Sequence, residues 1–228
     1  MTTKEEILEE LEALGTEQTR KTYRRHGIMD ELFGVKYGDL NKVRKKVKNN
    51  QTLTRELWAT GNHDARIFAT MISEPDKIQE DEIKQWAKDI NNATLADALA
   101  GMFSPSSFSR QLAEEWIQLQ DQEWECSMGW NVMGWLAVND QSLPDAYFEN
   151  LLQWIERDIH TSKNRVRYNM NNAVINIGLR NPALYEKAIA TAQKVGKVEV
   201  DHLDTSCKTP DAITYIDKVL QYRASKKK

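Results

Sequence analysis

The chain of 228 residues is poor in the residues that build disulfide frameworks and tight turns, with two cysteines, ten glycines and five prolines. Cys126 and Cys207 cannot form a disulfide framework, so a reducing compartment, by default the cytoplasm, is expected. The scarcity of glycine and proline argues against a sheet-rich fold and favours long helices. No apolar run approaches the roughly 20 residues of a transmembrane helix, and the start, MTTKEEILEELEAL, is acidic rather than signal-like. The sequence predicts no association with a membrane.

The chain also lacks the excess of positive charge that is typical of dedicated nucleic-acid-binding proteins, because its net charge is −3. Charge is unevenly distributed, however. Residues 20–48 hold ten Lys and Arg against three acids, whereas residues 110–158 hold ten acids against two Arg. The basic segment is either a solvated helix face or an anion-binding surface. The candidates for contact with a polyanion are Arg24, Arg25, Arg44 and Lys45 near the N-terminus and Lys163, Arg165, Arg167 and Arg180 further along.

Apolar residues recur at helical spacing along nearly the whole chain. The pattern predicts a first helix that ends at Gly15, a second that Thr16 caps, and a later one that Asn62 caps. Thr52 or Thr54 is expected to open the helix TRELWAT. The last helix is expected to begin at Thr209-Pro210, with Thr as N-cap and Pro in the first turn. Alternation typical of a strand occurs only briefly, at KVEVDHL.

From about residue 80 the helices are predicted to form pairs. DEIKQWAKDI pairs with ATLADALAGMF, PSSFSRQLAEEWIQL with EWECSMGWNVMGWLAV, and PDAYFENLLQWIERDI with KNRVRYNMNNAVINIGL, at a spacing of roughly 30–40 residues. The predicted fold is all-α, an α-solenoid of antiparallel helix pairs in one domain over residues 1–228. Within it, residues 1–50 form N-terminal helices, residues 51–195 the helix-pair repeats, and residues 196–228 a loop and the C-terminal helix.

The stretch Asn91–Phe103, NNATLADALAGMF, carries a single acid in an otherwise uncharged helix. Leu95, Leu99, Met102 and Phe103 fall on one stripe, which is typical of a core face. On the helix surface Asp97 has only small neighbours, three and four residues away. The carboxylate therefore either meets a neighbouring element and is hydrogen-bonded there, or faces an open groove.

Five segments together resemble a known family, and they span nearly the whole chain. They are FGV at 33–35, ELWATGNHDARIFATMI at 56–72, LADAL at 95–99, NNAVINIGLRNPAL at 171–184 and VDHLDTSCKTPDAITYI at 200–216. In this order they resemble the DNA alkylation repair proteins, the AlkD-like family of HEAT-like-repeat alkylpurine DNA glycosylases. The resemblance implies a HEAT-like-repeat fold and double-stranded DNA as the partner.

The resemblance also implies a chemistry. Active members are monofunctional glycosylases that excise cationic 3- or 7-alkylated purines while gripping the DNA backbone, without drawing the lesion into a pocket. Asp97 matches the family's catalytic Asp, which stabilises positive charge developing on the deoxyribose. On this basis the first functional hypothesis is a DNA glycosylase that acts through Asp97.

Other positions depart from the family's pattern. Ala93 stands where the family typically has Trp, Ser127 where it has Arg, Asn172 where it has a second Trp, and Ile175 at a nearby basic position. The aromatic residues would stack on a cationic lesion and the Arg would contact a phosphate. The alternative hypothesis is a non-catalytic relative that binds unusual nucleic-acid structures, or a protein, on its concave face.

The sequence contains three further groups of residues with a possible structural or functional role. The seven Trp residues fall on helix stripes and are expected in the core, with Trp124 and Trp130 as the exceptions closest to Ser127. The loop with Asp201, His202 and Cys207 fits no standard zinc spacing, so neither a metal nor a cofactor is predicted. The Asn-rich helix at 169–176 predicts either a polar groove wall or hydrogen bonds between helices.

Overall fold

The computed structural model describes residues 2–226, which form thirteen α-helices and one 3-10 helix and contain no β-strand. The all-α prediction is confirmed, and the alternation KVEVDHL forms no strand. The described chain divides into two compact units. The first unit runs to Ser107 and also includes His202–Ser206; the second comprises Phe108–Asp201 and the residues from Cys207 onward. A single repeat domain over residues 1–228 stays a prediction.

The first unit is built from seven α-helices in the residues described. They are α1 (Lys4–Leu14), α2 (Glu17–Arg25), α3 (Tyr37–Arg44), α4 (Gln51–Trp58), α5 (His63–Ile72), α6 (Glu80–Ala87) and α7 (Ala93–Phe103), with a 3-10 helix at Pro75–Lys77 between α5 and α6. Helix α5 packs on α4 and α7, and its residues Phe68 and Ile72 are fully buried. This helix is therefore the centre of the first core.

The second unit contains six helices among the described residues. They are α8 (Ser109–Trp116), α9 (Glu123–Asn139), α10 (Asp145–Asp158), α11 (Asn164–Gly178), α12 (Pro182–Val195) and α13 (Ala212–Ser225). Helices α9 and α11 share the most extensive contact in the unit, and α9 also packs on α8. A Cβ on Gly129 would lie 3.1 Å from the carbonyl oxygen of Ala113 in α8 and 2.9 Å from Ile117 Cγ2. A larger residue at this position would therefore force α8 and α9 apart.

Two predicted helix starts are confirmed by their capping hydrogen bonds. Thr16 Oγ1 accepts a hydrogen bond from the Thr19 N–H at 3.2 Å, and Asn62 Oδ1 accepts one from the Ala65 N–H at 3.2 Å. Gly15 directly follows α1, as predicted. Such caps satisfy backbone N–H groups that have no partner within the helix.

Two other predicted starts are wrong, because a neighbouring side chain takes the capping role. Helix α4 begins at Gln51, ahead of Thr52 and Thr54, since Asn50 Oδ1 accepts from the Leu53 N–H at 3.1 Å. Helix α13 begins at Ala212, after Thr209 and Pro210, since Asp211 Oδ1 accepts from the Thr214 N–H at 2.8 Å. Asn and Asp are strong N-caps, so the nearest of them sets each boundary.

Within residues 2–226, every helix is too short or too polar to span a lipid bilayer.

Candidate nucleic-acid interface

Helix α7 holds Asp97 in the first unit. Asn92 caps the start of the helix, and its Oδ1 accepts a hydrogen bond from the Leu95 N–H at 3.0 Å. Leu95 and Leu99 are completely buried, which confirms the apolar stripe that the sequence predicts. The stripe fixes the rotation of α7 about its axis. Asp97 therefore lies on the face that points away from the first core.

The face around Asp97 is partly open to solvent. Asp97, Ala93 and Thr94 all have intermediate exposure, and Gly101 is exposed. A Cβ added to Gly101 would have no neighbouring atom within 4 Å. The surface of α7 around this carboxylate is therefore partly open, and the choice between the two interpretations of Asp97 stays a prediction.

Tyr37, the first residue of α3, lies within electrostatic range of Asp97. Burial of the phenol, and then the negative charges of Asp97 and Asp64, raise the pKa of Tyr37 to about 12. The hydroxyl therefore stays protonated at neutral pH and can donate a hydrogen bond. The residue keeps 42 % of its surface exposed, so part of it is accessible to a ligand. Sequence reasoning missed Tyr37 because its proximity to Asp97 is created only by the fold.

Asp64 explains how the FGV segment and the segment around α5 are linked. Its carboxylate accepts three backbone N–H hydrogen bonds, from Phe33 at 2.7 Å, Gly34 at 2.9 Å and Val35 at 3.0 Å. Asp64 is only 1 % exposed. A buried charge of this kind is stabilised by three charge-assisted bonds, and it fixes the loop that leads into Tyr37.

The N-terminal basic candidates differ in how much of their charge is free. Arg25 and Lys45 are exposed and make no side-chain hydrogen bond or ion pair within residues 2–226. Arg24 is exposed but donates to the carbonyl oxygens of Ile28 at 2.6 Å and Asp30 at 2.9 Å. Arg44 donates to Met71 O at 2.6 Å, to Val47 O and to the side chain of Asn49. Arg44 therefore supports the chain around it, and Arg25 and Lys45 are the more available cations.

In the second unit, three predicted basic residues cluster at the start of α11. Lys163 is exposed and precedes the helix, and Arg165 and Arg167 have intermediate exposure in its first turns. The guanidinium of Arg165 lies 4.1 Å from the centre of the Tyr168 ring, a cation–π contact. Glu123 Oε1 accepts from the Arg165 backbone N–H at 2.7 Å, so a protein carboxylate already occupies the positive end of the helix. Phosphate binding here would depend on the side chains.

Arg180 is buried among carbonyl groups of its own unit. Its guanidinium donates to Ala137 O at 2.9 Å, Asp140 O at 2.8 Å and Leu143 O at 2.7 Å. It lies 4.6 Å from the centre of the Phe148 ring, and its side chain is 3 % exposed. In this conformation the group cannot reach a phosphate. Arg180 therefore ties the turn before α12 to the end of α9 and to the loop before α10.

Ser127 lies in the core of the second unit. Ser127 is completely buried, and its hydroxyl donates to the carbonyl oxygen of Trp124, one turn earlier, at 3.0 Å. Trp124 is half-buried, whereas Trp130 is completely buried, so the expectation of an exposed Trp130 is wrong. Trp130 packs edge-on against Trp154 with ring centres 5.7 Å apart, an aromatic contact that favours the interior.

The Asn residues of α11 serve both roles that the sequence left open. Asn169 donates to Ser127 O at 2.9 Å and Asn171 donates to Pro210 O at 3.0 Å, so these two amides tie α11 to α9 and to the segment before α13. Asn172 and Asn176 have intermediate exposure and make no side-chain hydrogen bond among the residues described. Their amides are therefore available to a ligand.

A pocket of about 330 Å³ opens beside these two amides. Helices α9 and α11 form most of its wall, and α13 with the segment before it completes the wall. The residues that line it are Trp130, Asn131, Gly134, Tyr168, Asn169, Asn172, Ala173, Ile175, Asn176, Pro210 and Tyr215. None of them carries a formal charge, so the pocket suits a neutral, polar and partly aromatic group better than an anion or a metal ion. Among residues 2–226, no three His, Cys, Asp or Glu side chains are grouped to hold a metal.

Comparison with known proteins identifies the class of fold and then the family. A solved structure with TM-score 0.88 and 33 % sequence identity covers 97 % of this chain and 95 % of its own. It is described as one of a new family of proteins related to the HEAT-like repeat DNA glycosylases, with affinity for branched DNA structures. The fold is therefore the HEAT-like-repeat fold that the sequence predicts.

The sequence profile of the DNA alkylation repair enzyme family matches residues 7–216. The chain belongs to this family, and the resemblance that the five sequence segments indicate is confirmed. Two uncharacterized proteins, from Listeria innocua and Listeria monocytogenes, are each 35 % identical to it over a match of 224 residues, and the match covers 96 % of this chain and 97 % of theirs.

Proposed function

We propose that this protein is a non-catalytic member of its family that binds branched DNA. The observation that carries the proposal is the likeness, at 33 % identity over 97 % of the chain, to a protein with affinity for branched DNA structures. Proteins with this degree of similarity over their whole length commonly share a type of ligand, although fold alone does not fix function.

The residues at the family's recognition positions support binding without excision. Ala93 offers no aromatic ring to a cationic base, and the buried Ser127 hydroxyl offers no charge to a phosphate. Asn172 offers an amide beside a neutral pocket. Loss of aromatic stacking alone would weaken contact with a base by about 1–3 kcal/mol for each ring.

Exposed or partly exposed cations supply the backbone contacts that branched DNA needs. Arg25 and Lys45 in the first unit and Lys163 with Arg165 in the second are the candidates. Each phosphate that such a residue neutralises releases a counterion, so binding should weaken steeply as salt rises. Partners that bind through protein–protein contacts would show a weaker dependence on salt.

The test is a comparison of a four-way DNA junction with a linear duplex of the same total length, in mobility-shift titrations at several salt concentrations. We expect the junction to bind at least about tenfold more tightly, with affinity falling linearly against salt on logarithmic axes. Lys163→Ala should lower the slope by about one, whereas Lys187→Ala should not, because Lys187 already lies 3.6 Å from Glu149. Equal affinity for the two DNAs would refute the proposal.

Base excision is the second candidate function, and one observation favours it. Asp97 matches the family's catalytic position and lies on a partly open face, within electrostatic range of a protonated Tyr37 hydroxyl. Release of 7-methylguanine or 3-methyladenine from duplex DNA is the assay, with Asp97→Asn as the control. Our proposal predicts no release above background by the wild type. Release by the wild type that Asp97→Asn abolishes would establish a glycosylase instead.

A further inference from the structure

We propose that the pocket between α9 and α11 binds one unpaired nucleobase at the branch point of the DNA. This inference rests on the proposed function and names the part of the DNA that the second unit recognises. It differs from what the family resemblance implies, which is a lesion that stays outside any pocket. The charge, the shape and the hydrogen-bonding groups of this pocket all favour such a ligand.

The lining selects for a flat, neutral ligand. None of the lining residues is charged, and they combine side-chain amides with three aromatic rings. A phosphate would find no cation among them and a metal ion no anionic ligand. The volume of about 330 Å³ is at the lower end of the range for small-molecule sites, and it fits one base rather than a stacked pair.

The amides of Asn172 and Asn176 supply the hydrogen bonds. Neither amide has a side-chain hydrogen bond within the described structure, in contrast to Asn169 and Asn171 on the same helix. An Asn amide presents a donor and an acceptor side by side, the arrangement that reads the edge of a base. The two residues are four apart on α11, so both amides lie on one face.

Gly134 makes the back wall of the pocket possible. A Cβ at this position would lie 2.8 Å from Asn176 Nδ2, closer than atoms of this kind approach. The absence of a side chain on Gly134 therefore leaves room for the Asn176 amide against α9. Gly134→Ala should displace this amide, which is the end of a flexible side chain, while the helix backbones stay in place.

Two tyrosines provide surfaces on which a base can stack. Tyr215 lines the pocket and still has 47 % of its surface exposed, which places its ring at the opening. Tyr168 is held by the Arg165 guanidinium at 4.1 Å, so one of its faces is fixed and cationic. Arg165 precedes Asn172 by two turns of the same helix, about 10 Å along its axis. This arrangement places a phosphate contact near the base-binding amides.

The experiment compares two three-way junctions of one sequence. One is fully paired, and the other carries two unpaired adenines at the branch. One of these two adenines is replaced by the fluorescent analogue 2-aminopurine. We expect the junction with unpaired bases to bind the wild type about tenfold more tightly than the fully paired one, and the fluorescence to change on binding. Removing the base, with an abasic site at the same position, should abolish this advantage.

Variants assign the effect to the pocket. Asn172→Ala and Tyr215→Ala should each lose most of the tenfold advantage, while affinity for linear duplex changes less than twofold. Asn150→Ala, on the exposed surface of α10, is the matched control and should behave as the wild type. Circular dichroism and melting temperature identify a variant that fails to fold. If Asn172→Ala fails to fold, Asn172→Asp takes its place, because it keeps the shape of the side chain but replaces the amide donor with a carboxylate.

The outcomes separate this inference from the function on which it rests. If both junctions bind equally well and better than duplex, and the abasic site has no effect, the protein binds branched DNA and the pocket inference is wrong. If neither junction binds better than duplex, the proposed function fails. The same 2-aminopurine strand without its complements then decides the pocket: a fluorescence change that requires Asn172 supports it, and no change overturns it.

Discussion

Helices α7 and α11 differ in the charge of the polar side chains on their partly exposed faces. Helix α7 presents a carboxylate, Asp97, on a face of small residues with open space around Gly101. Helix α11 presents neutral amides beside aromatic rings, and basic residues at its start. A carboxylate repels the phosphate backbone unless it meets developing positive charge, whereas an amide can bind an ordinary base. This difference supports our proposal that α11 recognises the DNA, and the match of Asp97 on α7 to the family's catalytic Asp stays a prediction.

The largest expected effect separates Asp64, a buried acid of the first unit, from Asp97, a half-buried one. Asp64→Ala would leave three backbone N–H groups without an acceptor, two of them buried, so we expect the free energy of unfolding to fall by about 3 kcal/mol or more. Asp97→Asn, on the open face of α7, should change it by less than about 1 kcal/mol. Urea unfolding measures both. An equal loss in the two variants would mean that Asp97 is also structural.

Two glycine substitutions test whether the surface of α7 at Gly101 is open while the surface of α9 at Gly129 is closely packed. Gly129→Ala forces a methyl group against Ile117 and the Ala113 carbonyl, so it should destabilise the protein by about 1–3 kcal/mol. Gly101→Ala has open space and a helical backbone, so it should stabilise by about 0.5–1 kcal/mol. Thermal unfolding compares the two. Destabilisation by Gly101→Ala would show that the α7 face is covered.

The stability of the protein should depend on pH through His63, a buried histidine of the first unit, whereas the pocket of the second unit has no charged lining residue. Burial lowers the pKa of His63, and the negative charges of Asp64 and Asp30 offset part of this shift. Because the unfolded chain binds a proton near pH 6.5 and the folded protein resists it, stability is present above about pH 6.5 and is lost as the pH falls below it. His63→Gln should flatten the free energy of unfolding between about pH 6.5 and 5, a range above the ordinary pKa of carboxyl groups.

The smallest effect concerns the cation beside the pocket. Arg165→Ala should weaken junction binding several-fold and reduce the salt slope by about one, because a phosphate contact is lost. Lys194→Ala is the control, since its ammonium is already paired with Glu156 at 2.9 Å. An unchanged salt slope in Arg165→Ala would remove this residue from the DNA contact.

Features set by neighbouring residues could be predicted from the sequence, and features set by distant ones could not. The caps Thr16 and Asn62 and the stripe of Leu95 and Leu99 depend on spacing within one helix, and the prediction was correct. The caps at Asn50 and Asp211 show the limit, since two adjacent candidates compete and only geometry decides between them. The family was recognisable because five segments keep their order along the chain.

The candidate site depended more on tertiary structure. In the sequence, nothing distinguishes Arg180 from an exposed cation. In the fold it is buried, and its hydrogen-bond acceptors lie 37 to 43 residues earlier in the chain. Tyr37 and Asp97 are 60 positions apart in the sequence, and the fold brings them within electrostatic range, with Asp64 holding the loop before Tyr37. The Asn residues of α11 could be noticed as a group, but which of them tie helices together depends on where Ser127 and Pro210 lie.

The measurement that tests the central claim most directly is the ratio of dissociation constants for a linear duplex and a four-way junction, taken with wild-type protein at one fixed salt concentration. The account predicts a ratio of at least about ten, with no methylated base released from a 7-methylguanine duplex under the same conditions. A ratio near one, or base release that disappears in Asp97→Asn, would contradict it.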